Sequence, residues 1–128
     1  MATFLTEDWL ELQRKAAADL PGEAGVSATV DHVVSGSPAG NVLYTTTFQD
    51  GRLVEVSEGK SATPDLTFTE TYEGAQLVAR GELETGAAFM QGSLKVEGNM
   101  AKLLPLLELM HRPEYREMVA RLAEQTEF

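Results

Sequence analysis

Cysteine is absent from the sequence, which excludes disulfide cross-links and thiolate metal sites and fits a reducing compartment. Histidine is scarce, since His32 and His111 are the only two, and neither has carboxylates at a spacing typical of a metal site. No phosphate-cradling loop or dinucleotide-binding fingerprint occurs. We therefore expect neither a metal ion nor a cofactor.

Basic residues are also few. The chain has 10 lysines and arginines against 20 aspartates and glutamates, which gives a net charge of −10. Such a chain is repelled by the phosphates of nucleic acids and by anionic membrane surfaces. We expect no nucleic-acid partner and, at most, transient contact with a membrane.

Long apolar stretches are missing as well. The longest run, Leu103–Leu107, is far too short to span a bilayer. The first residues, Met1–Trp9, include two acidic side chains and no basic segment, unlike a secretory signal. We therefore expect a cytoplasmic protein. We also expect residues 1–128 to form one domain, because 43% apolar residues suffice for a single core.

Apolar periodicity predicts a mixture of helices and strands. A first helix is predicted from the capping residue Thr6 to Leu20. Alternation of apolar and polar residues predicts a strand over Val26–Ser35. A later strand begins at Leu66, and a short helix is expected over Glu73–Arg80. This order indicates the α+β class.

A hairpin is predicted between these strands. Asp50-Gly51 separates two β-rich segments, Val42–Gln49 and Arg52–Glu58, and both residues of such a turn tolerate positive φ. The turn determines which residues should face each other across the hairpin. The expected pairs are Gln49 with Arg52, Phe48 with Leu53, Thr47 with Val54, and Thr45 with Val56.

The C-terminal third predicts two helices. The first begins after the capping residue Asn99 and has apolar residues on nearly all sides before it ends at Arg112. The second begins at Pro113, where the missing N–H does no harm. As a short peripheral helix, this second one is a candidate lid. A filled core requires an apolar stripe of this kind as well, so the pattern alone does not distinguish a filled core from a cavity.

Three short segments between the predicted helices form a recognisable motif. They are Ala88–Gly92, Leu94–Val96 and Gly98–Met100. The motif resembles the signature of the sterol carrier protein family, the non-specific lipid-transfer proteins. Ser93 and Glu97 stand where that family is usually basic.

The resemblance implies a fold and a cavity. The family fold is a five-stranded mixed sheet, mostly antiparallel, with helices packed on one face. Between sheet and helices lies an apolar cavity that holds a sterol, a fatty acid or a fatty acyl thioester such as an acyl-CoA.

We predict that the lipid-binding residues come from the motif and the apolar helical stripes. Methionines suit a pocket for varied apolar ligands because their side chains adapt in shape. The predicted lipid-binding residues are Phe68, Leu77, Val78, Phe89, Met90, Gln91, Met100, Leu103, Leu104, Leu107, Met110, Met118 and Leu122.

No catalytic residue is predicted. Glu70 shares strand parity with Leu66 and Phe68, which leaves two interpretations: it points inward as a polar contact or as an acid with a raised pKa, or it lies at a frayed strand end. His32 is interpreted as a strand residue bonded to a neighbour, and His111 as a cation that suits a helix C-terminus.

Three functions fit these patterns. The first is a non-enzymatic lipid carrier, which binds its ligand because binding removes apolar surface from water. The second is a non-catalytic interaction or oligomerisation module with the same fold, for which a homodimer is one form. The third is a small enzyme for an apolar substrate, with Glu70, His32 or a tyrosine as acid or base.

Overall fold

The computed structural model describes residues 1–128. Seven strands, five α-helices and one 3-10 turn, Ala17–Asp19, make up its regular structure. In chain order the strands and α-helices are β1 (Ala2–Thr3), α1 (Glu7–Ala16), β2 (Ala28–Ser37), β3 (Gly40–Gln49), β4 (Arg52–Glu58), β5 (Leu66–Thr71), α2 (Tyr72–Ala79), α3 (Thr85–Met90), β6 (Lys95–Gly98), α4 (Met100–His111), α5 (Pro113–Glu124) and β7 (Thr126–Glu127).

Five strands form the main sheet in the order β4-β3-β2-β5-β6. Three of its four pairings are antiparallel, and β5 runs parallel to β2. The predicted α+β fold with a mixed, mostly antiparallel sheet is confirmed. Leu66, Leu103 and Leu106 are fully buried where α4 covers the sheet, and they belong to the larger of two hydrophobic clusters.

Capping side chains determine where three helices begin. The hydroxyl of Thr6 accepts a hydrogen bond from the Trp9 backbone N–H, and the side-chain oxygen of Asn99 accepts one from Ala101 at 3.1 Å. Both caps were predicted. The cap of α2 was not: the Thr71 hydroxyl accepts a bond from Gly74. A threonine that ends one element and begins the next carries no separate signal in the sequence.

The predicted hairpin turn is present. Asp50 and Gly51 have φ values of 47° and 75°, and the pairs Gln49–Arg52 and Phe48–Leu53 form as expected. A Cβ atom at Gly51 would collide with the backbone nitrogen of Glu23, so only glycine fits this position.

The register beyond the turn differs from the prediction. Thr47 pairs with Glu55 instead of Val54, and Thr45 pairs with Ser57 instead of Val56. The cause is a β-bulge at Val54, which puts one extra residue into β4 and shifts every later pair by one position. Val54 is 48% exposed.

The chain crosses the sheet on the face opposite the helices, over residues 59–65. Asp31 is buried there, and its Oδ1 accepts hydrogen bonds from the Thr45 hydroxyl and the Ser61 N–H, both at 2.9 Å. At the end of the crossing, Asp65 Oδ2 accepts a bond from the Thr29 N–H at 2.8 Å. Two aspartates therefore hold both ends of the connection between β4 and β5.

A short parallel pairing joins the two ends of the chain. β1 pairs with β7 through Ala2 with Thr126 and Thr3 with Glu127, which the sequence patterns did not predict. The second hydrophobic cluster lies beside this pairing and includes Phe4 and Trp9. No helix of the chain combines the length and the apolar character needed to cross a bilayer.

Candidate functional site

A pocket of about 370 Å³ lies between the helix-covered face of the sheet and helices α1, α2 and α5. Small-molecule sites in proteins commonly have volumes of about 300–1,000 Å³, so this pocket is at the small end of that range. Hydrophobic residues make up 15 of its 23 lining residues. The wall is therefore mainly apolar, with a minority of polar groups.

The sheet side of the pocket is aromatic. His32 on β2 lies directly between Tyr44 on β3 and Phe68 on β5 in the strand register. The Trp9 ring of α1 meets the Tyr44 ring at a centroid distance of 5.9 Å, nearly perpendicular to it. Sheet and helix thus both contribute aromatic rings to the wall of the same pocket.

His32 is neutral in this environment. Burial lowers the pKa of His32 to about 4, and the nearby Asp31 carboxylate offsets part of this effect. Its Nε2 lies 2.8 Å from the Thr46 hydroxyl oxygen. Burial also raises the pKa of Tyr44 far above its usual value and that of Tyr115 to about 12. These three pocket residues carry no charge near pH 7.

Glu70 is the one carboxyl on the sheet side of the pocket. Burial raises the pKa of Glu70 to about 7, and no hydrogen bond or opposite charge lowers it again. The residue lines the pocket, which is the inward one of the two positions that its strand parity with Phe68 left open. A carboxyl in this setting changes its charge close to neutral pH.

Helix α1 contributes two polar atoms that have no partner. Trp9 Nε1 and Gln13 Oε1 are both buried and neither makes a hydrogen bond with the chain. The two residues line the same pocket and lie four positions apart, so they share one face of the helix. A buried donor or acceptor without a partner costs about 1–3 kcal/mol.

The exposed rim of the pocket carries the remaining charges. Glu84 lies 2.6 Å from His111 Nδ1 and 3.3 Å from Arg116 Nε, and the bond to His111 is the main cause of the lowered pKa of Glu84. The Arg80 guanidinium lies 4.8 Å from the centroid of the Phe128 ring. Each arginine at the rim therefore already has a partner within the chain.

Comparison with known proteins gives a family for this architecture. The model of the SCP-2 sterol transfer family matches residues 7–111, most of the chain. The chain belongs to the SCP-2 sterol transfer family. The family resemblance that the motif at 88–100 predicted is confirmed. A comparison with curated protein sequences finds no significant match.

Solved structures agree with this family in fold. A crystal structure of sterol carrier protein 2 has a TM-score of 0.70 and 17% identity, covering 94% of this chain and 98% of that chain. The solution structure of palmitated SCP2L2 from Aedes aegypti has a TM-score of 0.65 and 20% identity, covering 84% and 96%. A conserved hypothetical protein from Thermus thermophilus has a TM-score of 0.66 and 22% identity, covering 96% and 92%.

Five of the predicted lipid-binding residues lie together in the pocket wall. They come from β5, α2, α4 and α5, and the pocket brings them together across more than 50 positions of sequence. They are Phe68, Val78, Met110, Met118 and Leu122.

The other eight predicted residues lie outside the pocket wall. Leu103 is buried in the larger hydrophobic cluster, and Phe89 and Leu107 pack against that cluster. Met90 and Leu104 are mostly exposed, at 82% and 65%. The remaining three, also exposed, are Leu77, Gln91 and Met100. Helix α4 is apolar on almost all sides, so its sequence does not show which side faces the pocket.

The pocket also includes residues that were not predicted as ligand contacts. The sequence patterns give His32 and an unspecified tyrosine only as the acid or base of a possible enzyme, and they give no role to Gln13. The signal for His32 and Tyr44 was strand parity, because both lie on the face that carries Phe68. Tyr115 and Val119 of α5 line the pocket as well, although α5 lies beyond the residues that the family model matches.

Metal binding has no support in the side-chain arrangement. No group of three or more His, Cys, Asp or Glu residues is placed to hold a metal ion. The pocket instead offers a mainly apolar wall with an aromatic side, one carboxyl and two unpaired polar atoms.

Proposed function

We propose that the chain is a lipid carrier that holds an elongated or ring-shaped apolar molecule in the pocket between the sheet and helices α1, α2 and α5. The observation that carries the proposal is the mainly apolar pocket of about 370 Å³ in a member of the SCP-2 sterol transfer family. Sterols, fatty acids and fatty acyl thioesters are the ligand classes we consider. Support also comes from the Aedes aegypti relative, whose structure is described as palmitated.

Binding in this pocket needs no covalent chemistry. Removing an alkyl chain from water contributes about 0.8 kcal/mol per buried CH₂ group. The proposed lipid contacts are the five predicted residues of the wall together with Tyr44, Tyr115 and Val119. Helix α5 supplies several of these contacts as a peripheral element, so we propose that its displacement admits the ligand. Dimerisation and transient membrane contact stay predictions.

The test combines binding with a pocket-filling variant. Delipidated protein is titrated with dodecanol, dodecanoate and a sterol, and its thermal midpoint is recorded with each ligand. A bound ligand at 100 times its Kd adds about 2.7 kcal/mol to the free energy of unfolding. Ala79→Phe places a ring into the pocket wall and should weaken binding, whereas Ala101→Phe on the exposed surface of α4 should not. Absence of binding by all three ligands would refute the carrier.

A second candidate function rests on Glu70. A group with a pKa near the working pH is suited to general acid–base catalysis, and Glu70 faces an apolar pocket with a pKa of about 7. Incubation with p-nitrophenyl dodecanoate tests this candidate. Hydrolysis that disappears in Glu70→Gln would support an enzyme, and equal rates with and without the protein would exclude esterase activity on this substrate.

A further inference from the structure

The charged groups of the pocket differ in whether the chain itself neutralises them. At the rim, Arg116 pairs with Glu84, and Glu84 also bonds His111. Arg80 lies over the Phe128 ring. These side chains have their partners within the protein and do not need a ligand for compensation.

Glu70 has no such partner. It sits near the end of β5, in register with Val34 of β2, and it faces the pocket beyond the Phe68 ring. His32, a base on the same face of the sheet, is held neutral because burial lowers the pKa of His32 to about 4. Tyr44 and Tyr115 face the pocket as uncharged phenols. No cation of the chain compensates an ionised Glu70.

The surroundings of Glu70 favour a positive charge in other ways. Trp9, Tyr44 and Phe68 line the pocket, and aromatic ring faces attract cations. The chain as a whole has a net charge of −10, which draws cationic ligands and repels anionic ones. A carboxylate ligand next to Glu70 would put two negative charges into one mainly apolar site.

We propose that Glu70 is the binding site for the protonated amine of a long-chain aliphatic amine, whose alkyl chain occupies the apolar part of the pocket. An ammonium group brings the missing positive charge and donates hydrogen bonds to the carboxylate. This inference rests on the proposed carrier function and adds long-chain amines to the ligand classes considered for it.

The test compares three ligands that differ only in the polar group. Dodecylamine, 1-dodecanol and dodecanoate are titrated into the delipidated protein by calorimetry at pH 8, where the amine is protonated and Glu70 is mostly ionised. We expect the amine to bind about tenfold more tightly than the alcohol, and dodecanoate more weakly than the alcohol. Glu70→Gln should bring the amine to the affinity of the alcohol, while the alcohol itself changes less than about twofold.

A matched control and the pH dependence make the test specific. Glu73→Gln removes an exposed carboxylate on the first turn of α2 and should leave the amine preference intact. In the unaltered protein, amine affinity should rise between pH 6 and pH 8 as Glu70 loses its proton, and this rise should vanish in Glu70→Gln.

The outcomes separate this inference from the carrier function. If none of the three ligands binds, the carrier function itself fails. If the alcohol binds as tightly as the amine, or if the amine preference survives Glu70→Gln, the carrier stands and the role of Glu70 is wrong. Tightest binding of dodecanoate would also overturn it, and would point to Arg80 and Arg116 at the rim.

Discussion

The imidazole of His32 lies flat against the phenol ring of Tyr44, with 4.3 Å between their centroids and 3° between their planes. The Phe68 ring meets the same imidazole edge-on at 5.6 Å. Three neighbouring strands, β2, β3 and β5, supply one ring each because these residues are paired in register. The stack forms the aromatic part of the sheet side of the pocket.

Acid should destabilise the protein through His32. A base whose pKa is lower in the folded state takes up a proton on unfolding. The contribution of His32 to the free energy of unfolding is therefore complete above the unfolded pKa of 6.5 and is lost as the pH falls to about 4. The free energy of unfolding of wild type relative to His32→Gln should increase by up to about 3 kcal/mol across this window as the pH rises. Urea denaturation at several pH values measures the difference.

Gln76→Met, which changes no titratable group, serves as the control, and its difference from wild type should stay constant across this window. Glu70 acts in the opposite direction. Its pKa is raised from 4.5 to about 7, so the folded state loses stability relative to the unfolded state as the pH rises through that window. If wild type and His32→Gln differ in free energy of unfolding by the same amount at pH 4 and at pH 7, the lowered pKa of His32 is wrong.

The crossing over residues 59–65 should depend on Asp31. Asp31→Ala leaves the Ser61 N–H without its acceptor and leaves the Thr45 hydroxyl with the Gly59 carbonyl alone, so we expect a loss of about 1–3 kcal/mol. Asp19→Ala, on the exposed surface, should change stability by less than about 0.5 kcal/mol. Chemical denaturation at pH 7 compares the two. Similar losses would show that the buried bonds do not stabilise the crossing.

Two glycines with positive φ should respond differently to alanine. At Gly59 a Cβ atom meets nothing within 4 Å, so Gly59→Ala should cost only the conformational strain of about 1–2 kcal/mol. At Gly51 the same change adds a collision with the Glu23 backbone, and the loss should exceed that of Gly59→Ala by about 1–3 kcal/mol. Thermal and urea unfolding of the pair give the comparison, and equal losses would refute the collision.

Removing a polar side chain should be harmless at Gln13. Its Oε1 is buried and has no hydrogen-bond partner, so Gln13→Met removes an unsatisfied acceptor and keeps the length of the side chain. We expect a free energy of unfolding equal to wild type or higher by up to about 1 kcal/mol. Gln76→Met, on α2 outside the pocket, is the reference. A clear loss only for Gln13 would mean that Oε1 has a partner in solution.

Local chemistry made much of the fold predictable. Asp50-Gly51 allows few turns, and Thr6 and Asn99 cap helices through their own side chains, so these features need no distant contact. The parity of Glu70 with Phe68 likewise follows from the strand period alone. The family motif added the sheet and the packing of the helices.

Features that depend on distant contacts were not predictable from the sequence. The bulge at Val54 obeys no local rule, and it moved the expected partners of Thr45 and Thr47 by one residue. The side of α4 that faces the pocket is decided by its neighbours, because Leu103 and Leu104 are equally apolar yet 2% and 65% exposed. The contribution of Gln13 to the pocket wall depends on how α1 packs against the rest of the chain, which its own sequence does not specify.

The pairing of β1 with β7 has a practical consequence for engineering the chain. Since Ala2 and Thr126 are parallel strand partners, the two ends of the chain lie close together, and a flexible linker that runs back along these two-residue strands would join them. New ends opened at the exposed turn around Pro38 and Ala39 would then give a circular permutant with the same sheet and the same pocket. In such a molecule helix α5 would be joined to the chain at both of its ends. Ligand entry into this permutant would therefore test whether α5 has to be displaced.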